Sequence, residues 1–240
     1  MNQVIVIPAR MSGTRLPNKP LIEIEGKPMI RHVWDRCSSV YSESKIFIAT
    51  EDQIIHDYCS SHSMNCVNTG PAETAIDRIK LFSDIVVADA YINVQGDEPI
   101  VNLDDIRAIL RYNTLFPERT CFGRAPASEL EFYDHTKAKV VCDLNGRLLY
   151  ASRAGIPVDV NGNFVSAYRA IWLYCFSKSA LDKYYQASSI SSLDKLEETE
   201  INRFLEISEP VYCVDMIGDS WAVDVENDIQ EVVRRLRFNC

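Results

Sequence analysis

No run in this 240-residue chain approaches the ~20 apolar residues that a helix needs to cross a bilayer. The chain also lacks an excess of base: 25 Lys and Arg stand against 34 Asp and Glu, for a net charge of −9. That balance excludes a broad nucleic-acid surface, which works by neutralising phosphates. It leaves room for a nucleotide pocket, where a few local cations suffice. The eight cysteines include no C-x-x-C pair, and His32, His56, His62 and His135 are scattered, so a zinc framework is not indicated. Met1 leads straight into Val4–Ile7, an apolar run too short for a secretory signal. Cys142 and Cys175 lie inside apolar runs, so reduced, mostly buried thiols in a cytoplasmic protein are expected. Neither G-x-x-x-x-G-K-[ST] nor G-x-G-x-x-G is present, which excludes a Walker A loop and a dinucleotide fingerprint. With no internal repeat, low-complexity tract or Pro/Gly/Ser-rich linker, residues 1–240 read as a single domain.

What is present is an alternation of short β-rich runs with helical patterns. QVIVIP, KIFIAT, MNCVNT and AYINVQ read as strands, and each is followed by a helical pattern. The last of these, NLDDIRAILRY, has Asn102 or Asp104 as its cap. This order predicts an α/β fold with a mostly parallel sheet flanked by helices. The rhythm then changes. AKVVCD and RLLYASR flank Leu144-Asn145-Gly146, a hairpin signal. AYRAIWLYCF reads as a further strand, so a small β-hairpin lobe is expected over about 138–177, covering a site or making a dimer contact. SLDKLEETEINRFLE reads as one amphipathic helix, PVYCVDM as a strand, and the end of the chain as a helix burying Val225, Ile229, Val232, Val233 and Leu236.

Two segments carry chemistry. The first follows the first strand and runs from Pro8 to Pro20 as PARMSGTRLPNKP. In an open α/β sheet, ligands bind at the carboxyl ends of the strands, where this loop lies. Ser12, Gly13 and Thr14 can turn backbone N–H groups toward an anion, and Arg10, Arg15 and Lys19 add three cations. Fixed cations there stabilise the charge that builds on a leaving pyrophosphate. By composition alone the loop is equally a solvated basic surface. The second segment, Gln95-Gly96-Asp97-Glu98-Pro99, follows the fourth strand and offers carboxylates for magnesium, which prefers oxygen ligands. It reads equally as an acidic turn before a helix.

Together these segments resemble the signatures of the CMP-Kdo synthetases, the 3-deoxy-manno-octulosonate cytidylyltransferases. IPARMSGTRLPNKPL is similar to their IPAR-x-x-S-T-R-L-P-x-K-P-L, and NVQGDEP to a second signature. The resemblance implies a Rossmann-like nucleotidyltransferase sheet and transfer of CMP from CTP to an acidic sugar, Kdo or Kdo-like, with release of pyrophosphate. It implies nucleotide binding by Pro8, Ala9, Arg10, Ser12, Gly13, Arg15, Lys19, Thr74, Arg78 and Gln95. Lys19, Arg15 and Asp97 take the catalytic roles, and Asp97 with Asp224 would hold Mg2+. Asp224 matches a late G-V-D-T-x-x-D-L pattern, here AVDVENDI, although a helix N-cap would explain it as well. Further matches assign Gln95, Arg153, Tyr174, Glu197 and Glu200 to the sugar. The family implies a homodimer.

The departures cluster on the sugar side. The family's H-x-G-x-Y-x-Y-R strand appears as Ala170 to Ser177, keeping Tyr174 but not the His, and the Gln of E-Q-L-R becomes Ile201. Apart from these, the H-x-S-G-T-[DE]-R block, which in the family begins a helix near the nucleotide, becomes Ala72 to Arg78. A site that hydrogen-bonds a hydroxyl discriminates through the cost of leaving buried partners unpaired, so such changes alter which sugar is accepted. The alternatives are a sialate-like or phosphonate acceptor, or a non-catalytic nucleotide-binding homologue.

Overall fold

The computed structural model describes residues 1–12, 16–188 and 191–238. Strand β1 (Gln3–Pro8) is apolar on both faces apart from Gln3, and all six of its residues are buried. It therefore occupies the middle of the sheet, where helices cover both sides. A small ribbon, β2 (Glu23–Ile24) with β3 (Lys27–Pro28), precedes α1 (Met29–Ser38). Then β4 (Ile46–Thr50), α2 (Gln53–Ser61), β5 (Cys66–Asn68), α3 (Ala75–Ile85), β6 (Ala90–Val94) and α4 (Leu103–Leu115) follow in the anticipated alternation. Asn102 supplies the α4 cap, accepting from Asp104 and Asp105 N–H groups, so it is Asn102 rather than Asp104 that starts the helix.

The second half comprises β7 (Thr120–Ala127), α5 (Glu129–Tyr133), β8 (Lys139–Cys142), β9 (Leu148–Ser152), β10 (Ala167–Phe176), α6 (Lys178–Gln186), α7 (Leu193–Leu196), α8 (Asn202–Glu206), β11 (Val211–Asp215) and α9 (Glu226–Phe238). The main sheet runs β11-β7-β10-β6-β1-β4-β5. Its pairs are parallel except where β10 lies antiparallel between β6 and β7. The α/β class with a mostly parallel sheet is as expected. Two cores, one on each face, close over it.

Three expectations change. The run assigned to one amphipathic helix is two short ones, because its polar residues are drawn in different directions. Asp194 and Arg203 turn inward to each other, Glu197 reaches the hairpin, Glu200 reaches α3, and Glu198 takes a left-handed φ of 47° between the halves. β10 belongs to the central sheet, and only β8 and β9 form the hairpin attached to its first half. Its turn is organised by Asp143, whose carboxylate accepts from the N–H groups of Asn145 and Arg147, with Gly146 at φ 78°. Finally, β7 was not anticipated. In its sequence, TCFGRAPA, Gly123 is there because a side chain would collide with Met216 and Ile171.

Candidate active site

The parallel strands β1 and β6 end side by side, and a cavity of about 360 Å³ opens at their carboxyl ends. Pro8, Ala9, Arg10 and Ser12 line it from the first loop; Gln95, Gly96 and Asp97 line it from the second. Gly96 is required by this approach: a Cβ there would stand 2.5 Å from the Pro8 carbonyl oxygen. A turn at Lys19–Leu21, entered through Asn18 at φ 58°, carries Lys19 into the cavity. The Lys19 ammonium donates to Asp97 Oδ2 at 2.7 Å and to Asp224 Oδ1 at 3.1 Å. Burial lowers the pKa of this ammonium, but Asp97 and then Asp224 outweigh it, and the net position is above the ordinary lysine value.

Asp224 reaches this point because the chain before α9 is pinned to the second loop: Val223 N–H donates to Asp97 O at 2.9 Å. Asp224 does not cap α9. Asp228, in the first turn of the helix, reaches back to accept from the N–H groups of Asp224 and Val225 and from the Trp221 indole, and the Asp224 carboxylate faces Lys19. Among the described residues no three or more His, Cys, Asp or Glu groups gather to hold a metal. The pair Asp97 and Asp224 already shares one cation, the ammonium, and two carboxylates completed by phosphate oxygens are a donor set that suits magnesium. Next to Asp97, Glu98 is buried, and that burial, followed by the Asp97 charge, raises its carboxyl to about 7.

The opposite wall is the start of α3. Thr74 caps the helix, accepting from Asp77 N–H at 3.1 Å and donating to Asp77 Oδ2 at 2.8 Å. Glu200 lies over the same helix end, accepting from Ile76 N–H at 3.2 Å and more weakly from Ala75 N–H. Its burial raises the carboxyl to about 7, against the pull of those two N–H groups. Arg78 lines the cavity, but its guanidinium is bonded to Thr69, Gly70 O and Glu51. Arg10 is exposed and donates a long bond to Glu73 O. Behind this wall Arg203 is fully buried, bonded to Asp194 and Asp77 and stacked 4.0 Å over the Tyr184 ring.

The structure thus gathers Pro8, Ala9, Arg10, Ser12, Lys19, Thr74, Arg78, Gln95, Asp97, Glu200 and Asp224 around one cavity. Gly13 and Arg15 lie outside the described residues. Arg153, Tyr174 and Glu197 do not line it. Arg153 spends its guanidinium on the carbonyls of Glu197, Glu198, Thr136 and His135. Glu197 accepts from Tyr150, Ser152 and the Arg153 N–H. Tyr174 is buried in an aromatic row with Phe122, Trp172 and Phe176. Lys137, which no pattern singled out, stands with its ammonium 5.6 Å over the ring of Trp221, the residue bonded to Asp228. Its place is set by folding of the hairpin against the chain before α9, and nothing local to HTKAK signals it.

A cytidylyltransferase family model matches residues 4–211. The 3-deoxy-manno-octulosonate cytidylyltransferase of Koribacter versatilis is 31% identical, over 98% of this chain and 90% of that protein. The 8-amino-3,8-dideoxy-manno-octulosonate cytidylyltransferase of Shewanella amazonensis is also 31% identical and is covered over 100% of both. The solved structure of a CMP:2-keto-3-deoxy-manno-octonic acid synthetase complexed with CTP superposes with a TM-score of 0.93 at 27% identity, over 100% of each chain. A cavity walled by the two signature loops, a lysine held between two aspartates, and these full-length similarities lead to one conclusion: this chain belongs to the cytidylyltransferase family and is a CTP-dependent nucleotidyltransferase.

Proposed function

We propose that the protein transfers the CMP moiety of CTP to a sugar acid of the 3-deoxy-manno-octulosonate class, the acceptor named for its relatives. The single observation that carries this reading is the Lys19–Asp97–Asp224 arrangement at the mouth of the cavity. An acceptor hydroxyl forms a bond to the α-phosphorus while the bond from that phosphorus to the β-bridging oxygen breaks, and pyrophosphate leaves. Asp97 and Asp224 would hold magnesium, whose charge would offset that of the phosphates and make the attacking hydroxyl more acidic. Lys19 supplies fixed positive charge to the leaving group, as Arg15 does by family resemblance. Gln95 and the first loop orient the nucleotide.

On the acceptor side the guanidinium of Arg153 is committed to carbonyls, and Lys137, which stands beside Trp221 and close enough to Glu98 for its charge to act there, is the candidate partner of the acceptor's carboxylate. Ala170 and Ile201, where the family carries His and Gln, are buried in the core. That favours an acceptor read through fewer hydroxyls than Kdo itself. The exposed Leu144, Leu149, Val160 and Val165 on and beyond the hairpin support a homodimer, and free thiols support a cytoplasmic location. No helix among the described residues is long and apolar enough to cross a membrane.

The test is pyrophosphate release from a panel of nucleoside triphosphates with magnesium and Kdo, its 8-amino analogue, a sialate and a phosphonate. Turnover with CTP and an octulosonate is expected. CTP binding without release for every acceptor would leave only a nucleotide-binding role.

A further inference from the structure

Cys142 ends β8 in the hairpin and Cys213 lies in the edge strand β11, 71 positions later. In the sheet, β10 and β7 separate their strands. The hairpin curls back across that face, and the two sulfurs stand 3.1 Å apart. Backbone bonds hold this approach. Gly146 O accepts from Cys213 N–H at 2.8 Å, and Arg147 pairs with Tyr212. Beside the sulfurs, β7 presents Arg124, whose guanidinium is fixed by Asp215 at 2.7 Å and by the Tyr168 ring at 4.2 Å, and it donates to Cys142. Cys142 is half-buried and open to a small reagent, whereas Cys213 is buried. The contact with Cys213, and then Arg124, hold the Cys142 thiol down at about 7, while the same contact and burial push the Cys213 thiol up. One sulfur is thus prepared as the thiolate and the other as the thiol.

We propose that Cys142 and Cys213 are a redox-active dithiol that hydrogen peroxide oxidises to an intramolecular disulfide. The Cys142 thiolate attacks the peroxide O–O bond, forms an S–O bond and releases hydroxide, which takes up a proton as water. The Cys213 sulfur then attacks Cys142, expels the hydroxyl as a second water and loses its proton. Two thiols lose two electrons and one peroxide gains them. Closing the gap to a disulfide length of ~2.05 Å moves the sulfurs by about 1 Å, within reach of side-chain rotation. Cys121 and Cys175 also face each other, across β7 and β10, but both are buried, and Arg119 acts on Cys121 through its charge and not through a hydrogen bond. The site lies outside the nucleotide cavity, so it stands or falls independently of the acceptor.

The experiment treats reduced full-length protein with stoichiometric hydrogen peroxide, alkylates the remaining thiols and maps the digest by mass spectrometry. A peptide pair joining Cys142 to Cys213, lacking two hydrogens and restored by dithiothreitol, is the expected result. In C213S the same treatment leaves a Cys142 sulfenic acid that dimedone traps. R124Q should slow formation of the bond several-fold without changing which cysteines are joined. Both thiols remaining alkylatable while other cysteines oxidise would overturn the proposal, as would linkage of Cys142 to a different cysteine. The wild-type map needs no variant to fold.

Discussion

Lys19 Nζ lies 2.7 Å from Asp97 Oδ2, joining the loop after β1 to the loop after β6 across 78 positions of sequence. Asp97 is about one-third exposed and Lys19 less so, which leaves the pair open to a ligand on one side. Because Asp97 is not a core group, D97N should leave the thermal midpoint within a few degrees of wild type. Turnover should fall by roughly 10²–10³-fold, the scale for removing a fixed charge that acts on the reacting phosphate. Circular dichroism melts and pyrophosphate release measure the two separately. Wild-type turnover in D97N would remove Asp97 from the chemistry.

Lys137 and Arg153 should separate in kinetics. K137Q is expected to raise the acceptor KM about tenfold, the cost of one charge-assisted contact, with the KM for CTP unchanged. R153M should instead lower stability, since four carbonyls lose their donor. Unchanged acceptor KM in K137Q, with wild-type enzyme active, would discard Lys137 while leaving cytidylyl transfer in place.

Glu200 gives a pH signature. Burial raises its carboxyl to about 7 in the folded protein, from the ordinary glutamate value of 4.5. A raised acid favours the folded state while protonated, so that stability is present below pH 4.5 and is lost as pH climbs through 7. With partial exposure discounted, the change is about 1–2 kcal/mol. E200Q should flatten this dependence in urea titrations at pH 5 and pH 8. An equal slope in the variant would show that Glu200 does not titrate in that window.

Arg203 is placed to be the most costly single loss. R203M leaves Asp77 and Asp194 buried without their cation. Breaking such an arrangement costs about 3–5 kcal/mol. Because Asp77 also bonds Thr74 at the cavity wall, a weaker affinity for CTP should accompany the lowered denaturation midpoint. Equilibrium unfolding and nucleotide titration read the two effects.

Much of the fold was legible in local pattern. QVIVIP, KIFIAT and AYINVQ announce buried parallel strands because each is a short apolar run followed by a helical period. The strand TCFGRAPA was not legible, since Gly123 stands where Met216 and Ile171 crowd the backbone. SLDKLEETEINRFLE has the spacing of one helix, but an internal ion pair and bonds to the hairpin and to α3 break it. Local periodicity carries no record of partners that arrive from elsewhere in the chain.

The candidate site divides along the same line. The sequence by itself determined that cations and glycine follow β1, that carboxylates follow β6, and that Asp224 is available late in the chain. These are matters of residue type at strand ends. Only the tertiary structure decided that one ammonium is held between Asp97 and Asp224. It also turned the Asp224 carboxylate to Lys19 rather than to the end of α9, committed Arg153 to carbonyls, and brought Lys137 to Trp221. Those outcomes depend on which competing hydrogen bonds are satisfied first as distant segments pack, and that competition is settled in space rather than along the chain.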